Sequence, residues 1–277
     1  MIKMLDSFVS YMKQKNMSNN TIDNYTRDLE QFQSFFDGDI AHATQDDIDN
    51  FIRHLNSMNR TPATVNRKLQ SIKTFFKFLM RQNIVTKDPS KYLESSRIPK
   101  KLPRVPDTVD LLSVLNSIDS KRDKLIFQIL YCTGLRRFEV IKIKLEDINF
   151  HQSYIRVLGK GSKERIVPVN TSALDSIASY IKEYGITSWL FPSSKNKNQC
   201  ISTRRLNEIV QYWTQRAGIQ GISPHRLRAH FCTLLYTKGA DIKAIQEFAG
   251  HSSIDTTNIY TKIDLNRSKQ EYTKAFN

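Results

Sequence analysis

Tyr154-Ile-Arg-Val-Leu158, Gly159-Lys160-Gly161-Ser162 and Lys163-Glu-Arg165-Ile-Val-Pro-Val169 follow one another in a chain that otherwise reads as helical. The two outer runs are rich in β-branched residues, and the glycines between them supply the positive φ of a tight turn, so a β-hairpin is expected over 154–169. Upstream, Asp107 opens a helical stretch, and a second helix over Lys121–Cys132 stops at Gly134, a residue suited to the left-handed position after a helix. Arg136 starts the next helix. Beyond about Thr171 the periodicity is helical again. The fold class expected is mainly α with a small β-sheet.

The first part of the chain carries no strand signal. Ile22, Tyr25, Leu29, Phe32 and Phe36 recur at steps of three and four, with Ser18 or Thr21 available as a cap. Thr44 with Asp47 makes a capping box before Ile48, Phe51, Ile52 and Leu55. Pro62 suits a first helical turn, after which Val65, Leu69, Ile72, Phe76 and Leu79 form an apolar stripe. The other face of this helix is expected to carry Arg67, Lys68, Lys73, Lys77 and Arg81. Between Ser95 and Pro106 three prolines and four cations make an extended linker. The organisation expected is a helical domain over 1–94, a basic linker over 95–106, and a mixed α/β domain over 107–277.

The 277 residues suit two domains, and 42 Lys+Arg against 27 Asp+Glu give a net charge of +15. Such a balance calls for a polyanionic partner, nucleic acid first and an anionic membrane surface second. No apolar run approaches the roughly 18 residues of a spanning helix, and Asp6 and Ser7 interrupt the only stretch resembling a signal sequence. Three cysteines, an odd number without Cys-x-x-Cys spacing, suggest reduced thiols and a cytoplasmic protein.

Chemistry-bearing residues are few and specific. His225 and Arg228 are three apart after Pro224, so one helical turn directs both to the same spot, and the helix N-terminus adds backbone donors for an anion. Tyr260 has an ordinary phenol and would need a base or cation nearby to attack at neutral pH. Singly, His-x-x-Arg also fits a surface turn, Tyr260 a packing aromatic, and Lys160 a solvated hairpin tip. Lys160 is followed by Gly161 rather than Ser or Thr, so the turn is not a nucleotide-binding P-loop. His225 and His230 are five apart and do not share a helical face, and the acidic group Asp46, Asp47 and Asp49 sits at a helix start; no metal site is expected.

Taken together, Thr133-Gly-Leu-Arg136-Arg-Phe-Glu139, Gly-Lys160-Gly-Ser-Lys-Glu-Arg-Ile-Val-Pro, Pro224-His225-Arg-Leu-Arg228 and Gly250-His251-Ser-Ser-Ile-Asp-Thr-Thr-Asn-Ile-Tyr260 resemble the tyrosine recombinase (lambda integrase-type) family, in its compact Xer-like form. Thr21-Ile-Asp-Asn-Tyr-Thr-Arg-Asp-Leu-Glu-Gln-Phe and Thr64-Val-Asn-Arg-Lys-Leu-Gln-Ser-Ile-Lys-Thr-Phe-Phe resemble its helical, SAM-like core-binding domain. The resemblance covers essentially the whole chain. It implies a catalytic set of Arg136, Lys160, His225, Arg228, His251 and Tyr260, with Glu139 orienting the site. It further implies double-stranded DNA as partner, a 3′-phosphotyrosine intermediate, a Holliday junction, four protomers on two DNA sites, exchange of the tail after Tyr260, and no cofactor.

DNA contacts are expected from Arg67, Lys68 and Lys73 on the basic helix and from Lys163 and Arg165 beside the hairpin. Phe138, Ala229 and Ala249 stand where the family often has Ser, His and Leu. The same residue set is also compatible with a type IB topoisomerase or with a non-catalytic DNA-binding protein.

Overall fold

The computed structural model describes residues 2–98, 105–159 and 164–250. The chain divides into two compact units, Met1–Lys100 and Lys101–Asn277.

In the first unit four helices, α1 (Ile2–Gln14), α2 (Asn19–Phe35), α3 (Gln45–Ser57) and α4 (Pro62–Arg81), enclose an aromatic core. Their starts follow local chemistry. Ser18 caps α2 by accepting from the Thr21 amide, Thr44 and Asp47 form the expected capping box on α3, and Thr61 caps α4 with Pro62 in its first turn. The apolar stripes then meet: Phe8, Phe32, Phe51, Phe75 and Phe76 are all fully buried or nearly so, and Phe8 packs edge-on against Phe75 at 5.3 Å between ring centres. Each such ring contributes about 1.5–3 kcal/mol on leaving water.

Lys68 does not lie on an exposed basic face. It falls between Val65 and Ile72 on the inward stripe, is 7% exposed, and donates at 2.7 Å to Asp28, itself 2% exposed. Arg67 bonds the other oxygen of the same carboxylate, and Lys73 donates to the carbonyl of Leu93. Lys77 and Arg81 remain exposed. Past α4, the side chain of Asn66 exchanges two hydrogen bonds with the backbone of Ser96, at 2.8 and 2.9 Å, which ties the start of the Pro-containing segment to α4.

The second unit is built round α6 (Lys121–Thr133), whose Leu125, Ile126, Phe127, Ile129 and Leu130 form a wide buried stripe while Lys121 and Lys124 stay exposed. A stripe that wide needs several neighbours to cover it. Here α5 (Thr108–Ser117), α7 (Arg137–Ile141), α8 (Thr171–Tyr184), α9 (Thr203–Arg216) and α10 (Pro224–Thr237) pack against it. The remaining helix, α11 (Ile242–Ala249), packs on α10.

The hairpin appears as β2 (Tyr154–Leu158) and β3 (Glu164–Pro168), joined on its other edge by a two-residue strand β1 (Ile148–Asn149) that the sequence reading did not include. All pairing is antiparallel, with Ile155 opposite Val167 and Val157 opposite Arg165. Non-helical chain also occupies 185–202, where Pro192 bridges to Cys200. Ala229 and Ala249 are buried in a small separate cluster with Phe231, Cys232 and Ile245, whereas Phe138 is 52% exposed with the Lys142 ammonium 4.3 Å above its ring.

Removing the Asp28 carboxylate while keeping Lys68 strands a buried ammonium. Asp28→Ala is expected to lower unfolding stability by about 3–5 kcal/mol, measured by urea denaturation, with the loss largely recovered when Lys68 is also replaced by Met.

Candidate active site

Gly134 ends α6 in the left-handed conformation, φ 59°. A Cβ there would sit 2.2 Å from the Phe231 ring, so both the backbone angle and the neighbour require glycine. The close approach of α10 that results brings Arg228 within reach of the turn, and its Nη1 donates to the Gly134 carbonyl at 2.9 Å. Arg228 is 4% exposed, and its Nη2 has no hydrogen-bond partner among the described residues. Burial and then repulsion from Arg136 push this guanidinium down to about 10, which leaves it charged at neutral pH.

Two residues after Gly134, Arg136 caps α7 rather than lying inside it. Its backbone N–H donates to Glu139 Oε2 at 2.7 Å, the return half of a capping box, and its Nη1 donates to Oε1 at 3.1 Å. Its Nη2 reaches the Gly250 carbonyl at 2.6 Å, just past the end of α11.

Glu139 is the centre of this group. Burial alone would raise its carboxyl, but hydrogen bonds and charge from Arg165, then from Arg136, outweigh that and hold it below the usual carboxylate range. Arg165 grips both oxygens, at 2.8 and 2.9 Å, and its Nε donates to the Phe248 carbonyl at 3.0 Å. Arg165 therefore faces inward, not outward beside the hairpin. The strand register carried this signal: Val167 is an inward residue, and β3 alternates with period two.

His225 is the second residue of α10, which Ser223 caps by accepting from the Arg226 amide at 3.3 Å. The protein around its imidazole, and then the Arg228 charge, lower its pKa from the ordinary histidine value. His230, two residues past Arg228, is a packing residue: it stacks on Tyr131 and its Nδ1 lies 3.1 Å from the Pro106 carbonyl.

Arg136, Glu139, His225 and Arg228 are thus described, with Arg165 added to them, while Lys160, Lys163, His251 and Tyr260 lie outside the described residues. Among the described residues no three His, Cys, Asp or Glu side chains are grouped to hold a metal ion, and no helix is long and apolar enough to cross a membrane.

Two arginines of different elements, one with a buried nitrogen that has no partner among the described residues, beside a helix N-terminus bearing an imidazole, define an anion-holding site of the phosphoryl-transfer kind. Comparison with known proteins agrees. The Phage integrase family matches residues 105–267, and the phage integrase N-terminal SAM-like domain matches residues 5–83. The tyrosine recombinase XerD of Staphylococcus epidermidis is 31% identical over 288 residues, covering 98% of this chain and 97% of the relative. XerD of Staphylococcus aureus is 32% identical over 276 residues, covering 94% and 93%.

Among solved structures, that of XerA recombinase has 25% identity and a TM-score of 0.56, covering 99% of this chain and 98% of that one. A lambda integrase dimer bound to a COC′ core site shares the fold, with a TM-score of 0.77 at 15% identity and 94% of each chain covered. XerH recombinase bound to palindromic difH substrate does so too, with a TM-score of 0.76 at 22% identity, covering 96% of this chain and 84% of that one. The chain belongs to the phage integrase family, as a site-specific tyrosine recombinase of the Xer-like kind.

The depressed Glu139 carboxyl makes a testable contribution to stability. Because its folded pKa is lowered, the contribution is full above the unfolded value of about 4.3 and is lost as pH falls through the folded value. The difference in unfolding free energy between the natural protein and Glu139→Gln is expected to be constant near neutrality and to shrink below about pH 4.3, as followed by denaturant titration at several pH values.

Proposed function

We propose that this recombinase cleaves and rejoins double-stranded DNA at Tyr260, whose phenolic oxygen attacks the scissile phosphate. The P–O bond to the 5′-oxygen breaks, leaving a 3′-phosphotyrosine and a free 5′-hydroxyl. The observation that carries the reading is the pairing of Arg136 with Arg228, whose Nη2 is buried and without a partner among the described residues. A buried unpaired donor is costly, and a non-bridging phosphate oxygen satisfies it. Arg136 and Arg228 hold the two non-bridging oxygens while charge builds on the pentacoordinate phosphorus, a task suited to a planar, permanently charged group.

His225 accepts the phenolic proton, Lys160 donates one to the leaving oxygen, and His251 hydrogen-bonds a non-bridging oxygen. The phosphotyrosine retains the energy of the original diester, so attack by a new 5′-hydroxyl restores the strand. Two rounds of this exchange pass through a Holliday junction, with four protomers on two DNA sites. The tail after Tyr260, with Ile263, Leu265, Tyr272 and Phe276, is donated to a neighbouring protomer. The recombinase structures captured on DNA support this reading, as does the net charge of +15. Of the cations read as DNA contacts, Arg67 keeps a side chain 39% exposed, and with Lys163 it is proposed to meet backbone phosphates.

A suicide DNA substrate, nicked so that the 5′-end diffuses away, tests the assignment. A covalent adduct is expected, absent in Tyr260→Phe and formed about 10²–10³-fold more slowly in Arg228→Ala; an adduct that persists in Tyr260→Phe would overturn the role of Tyr260. With His225 as base and its pKa lowered, the cleavage rate at subsaturating DNA is expected to hold through about pH 6.5 and to fall only below it. His225→Gln should lower the plateau and remove that acidic limb.

A further inference from the structure

The side chain of Arg165 reaches away from its own hairpin to α7 and to the end of α11. It lies on β3, five residues after Lys160, and opposite Val157 on the inward face. Its three donor groups are all spent inside the protein: Nη1 and Nη2 on the two oxygens of Glu139, at 2.8 and 2.9 Å, and Nε on the Phe248 carbonyl at 3.0 Å. Gly250 completes the fit. Its φ is +63°, and a Cβ there would lie 2.8 Å from the Arg165 Cζ, so the guanidinium occupies the space a side chain would take.

The same Gly250 offers its carbonyl to Arg136, and Arg136 shares Glu139 with Arg165. One guanidinium thus joins the strand that follows Lys160, the helix start that carries Arg136, and the end of α11 that precedes His251. The carbonyls at that end are also the negative pole of the helix, which favours a cation there.

We infer that Arg165 is a positioning residue for strand cleavage, acting through Glu139 to hold Arg136 and through Phe248 and Gly250 to hold the chain leading into His251, and not a DNA contact. The inference rests on the reading of Arg136 and His251 given above. Losing Arg165 leaves Glu139 buried with Arg136 as its remaining bonded cation and Arg228 as a more distant one. The carboxyl then gains a proton more readily, and protonated Glu139 no longer fixes Arg136. No other titratable group among the described residues is bonded to Glu139.

The test compares Arg165→Met and Arg165→Lys with the natural protein on a suicide substrate, alongside affinity for an intact site measured across salt concentrations. For Arg165→Met the cleavage rate of the bound complex is expected to fall about 10–100-fold, as for a catalytic group displaced by about 1 Å. In the His225→Gln background, which lacks the histidine limb, an acidic limb from Glu139 should lie at higher pH with Arg165→Met than with Arg165 present, while affinity and salt slope stay unchanged. Arg165→Lys, which keeps the charge but not the paired donors, should recover part of the rate and return the limb towards its original position.

A DNA contact would behave otherwise: affinity falls and the slope of log affinity against log salt decreases by about 0.9, with the cleavage rate at saturation intact. That result would overturn the inference, as would an unshifted pH limb in the variants. If Arg165→Met does not fold, as judged by its thermal transition, the Arg165→Lys profile decides between the two outcomes. Absence of any adduct with the natural protein would count against the catalytic reading itself, whereas a normal adduct with indifferent Arg165 variants would count only against this inference.

Discussion

The carboxylate of Glu139 is the constraint on which the site depends. It is nearly excluded from water, and the burial that would neutralise it is outweighed by two arginines. At an effective dielectric of about 20, each close contact gains on the order of a few kcal/mol, while taking the charges out of water costs several kcal/mol per ion. The balance is small, so the cluster contributes geometry more than stability. Its donors come from Arg136 at the start of α7 and Arg165 on β3, and the same two arginines donate to carbonyls at the end of α11. One buried negative charge thereby aligns three separate segments.

That alignment leaves an electrostatic surplus. Arg136, Arg165 and Arg228 surround a single carboxylate, three cations to one anion, which leaves two positive charges uncompensated among these four residues. Arg165 spends its donors inside the protein. Arg228, by contrast, keeps a buried nitrogen without a partner among the described residues, and it lies at the helix start that carries His225. A site arranged in this way favours an incoming anion, and burial, with the Arg228 charge adding to it, lowers the proton affinity of the neighbouring imidazole.

Two of the cations that sequence reading placed against DNA, Lys68 and Arg165, show where local pattern misleads. Lys68 belongs to a helix with many cations, and a count of charges puts it on the polar face. Its position between Val65 and Ile72 puts it on the apolar stripe, where a buried Asp28 makes the charge tolerable. Arg165 is similar: counted as a cation beside a hairpin it looks like a phosphate contact, yet the alternation through Val167 turns it inward. In both cases the periodicity was present in the sequence, but a charged residue on an inward position is credible only once its partner is known. The partners are 40 and 26 residues away in the chain.

Local chemistry was legible from the sequence because it acts over a few residues. The caps at Ser18 and Thr44, the helix start at Pro224, the left-handed turn at Gly134, the hairpin and the apolar helical stripes all follow from side chains within one or two turns of each other. Motif order also sufficed to place the chain in its family by resemblance. Tertiary structure alone decided that Gly134 must admit the Phe231 ring and offer its carbonyl to Arg228. It alone decided that Glu139 is shared by Arg136 and Arg165, and that the end of α11 receives both arginines. These contacts join residues far apart in sequence, and their strength depends on how completely water is excluded between them, a property no local pattern contains.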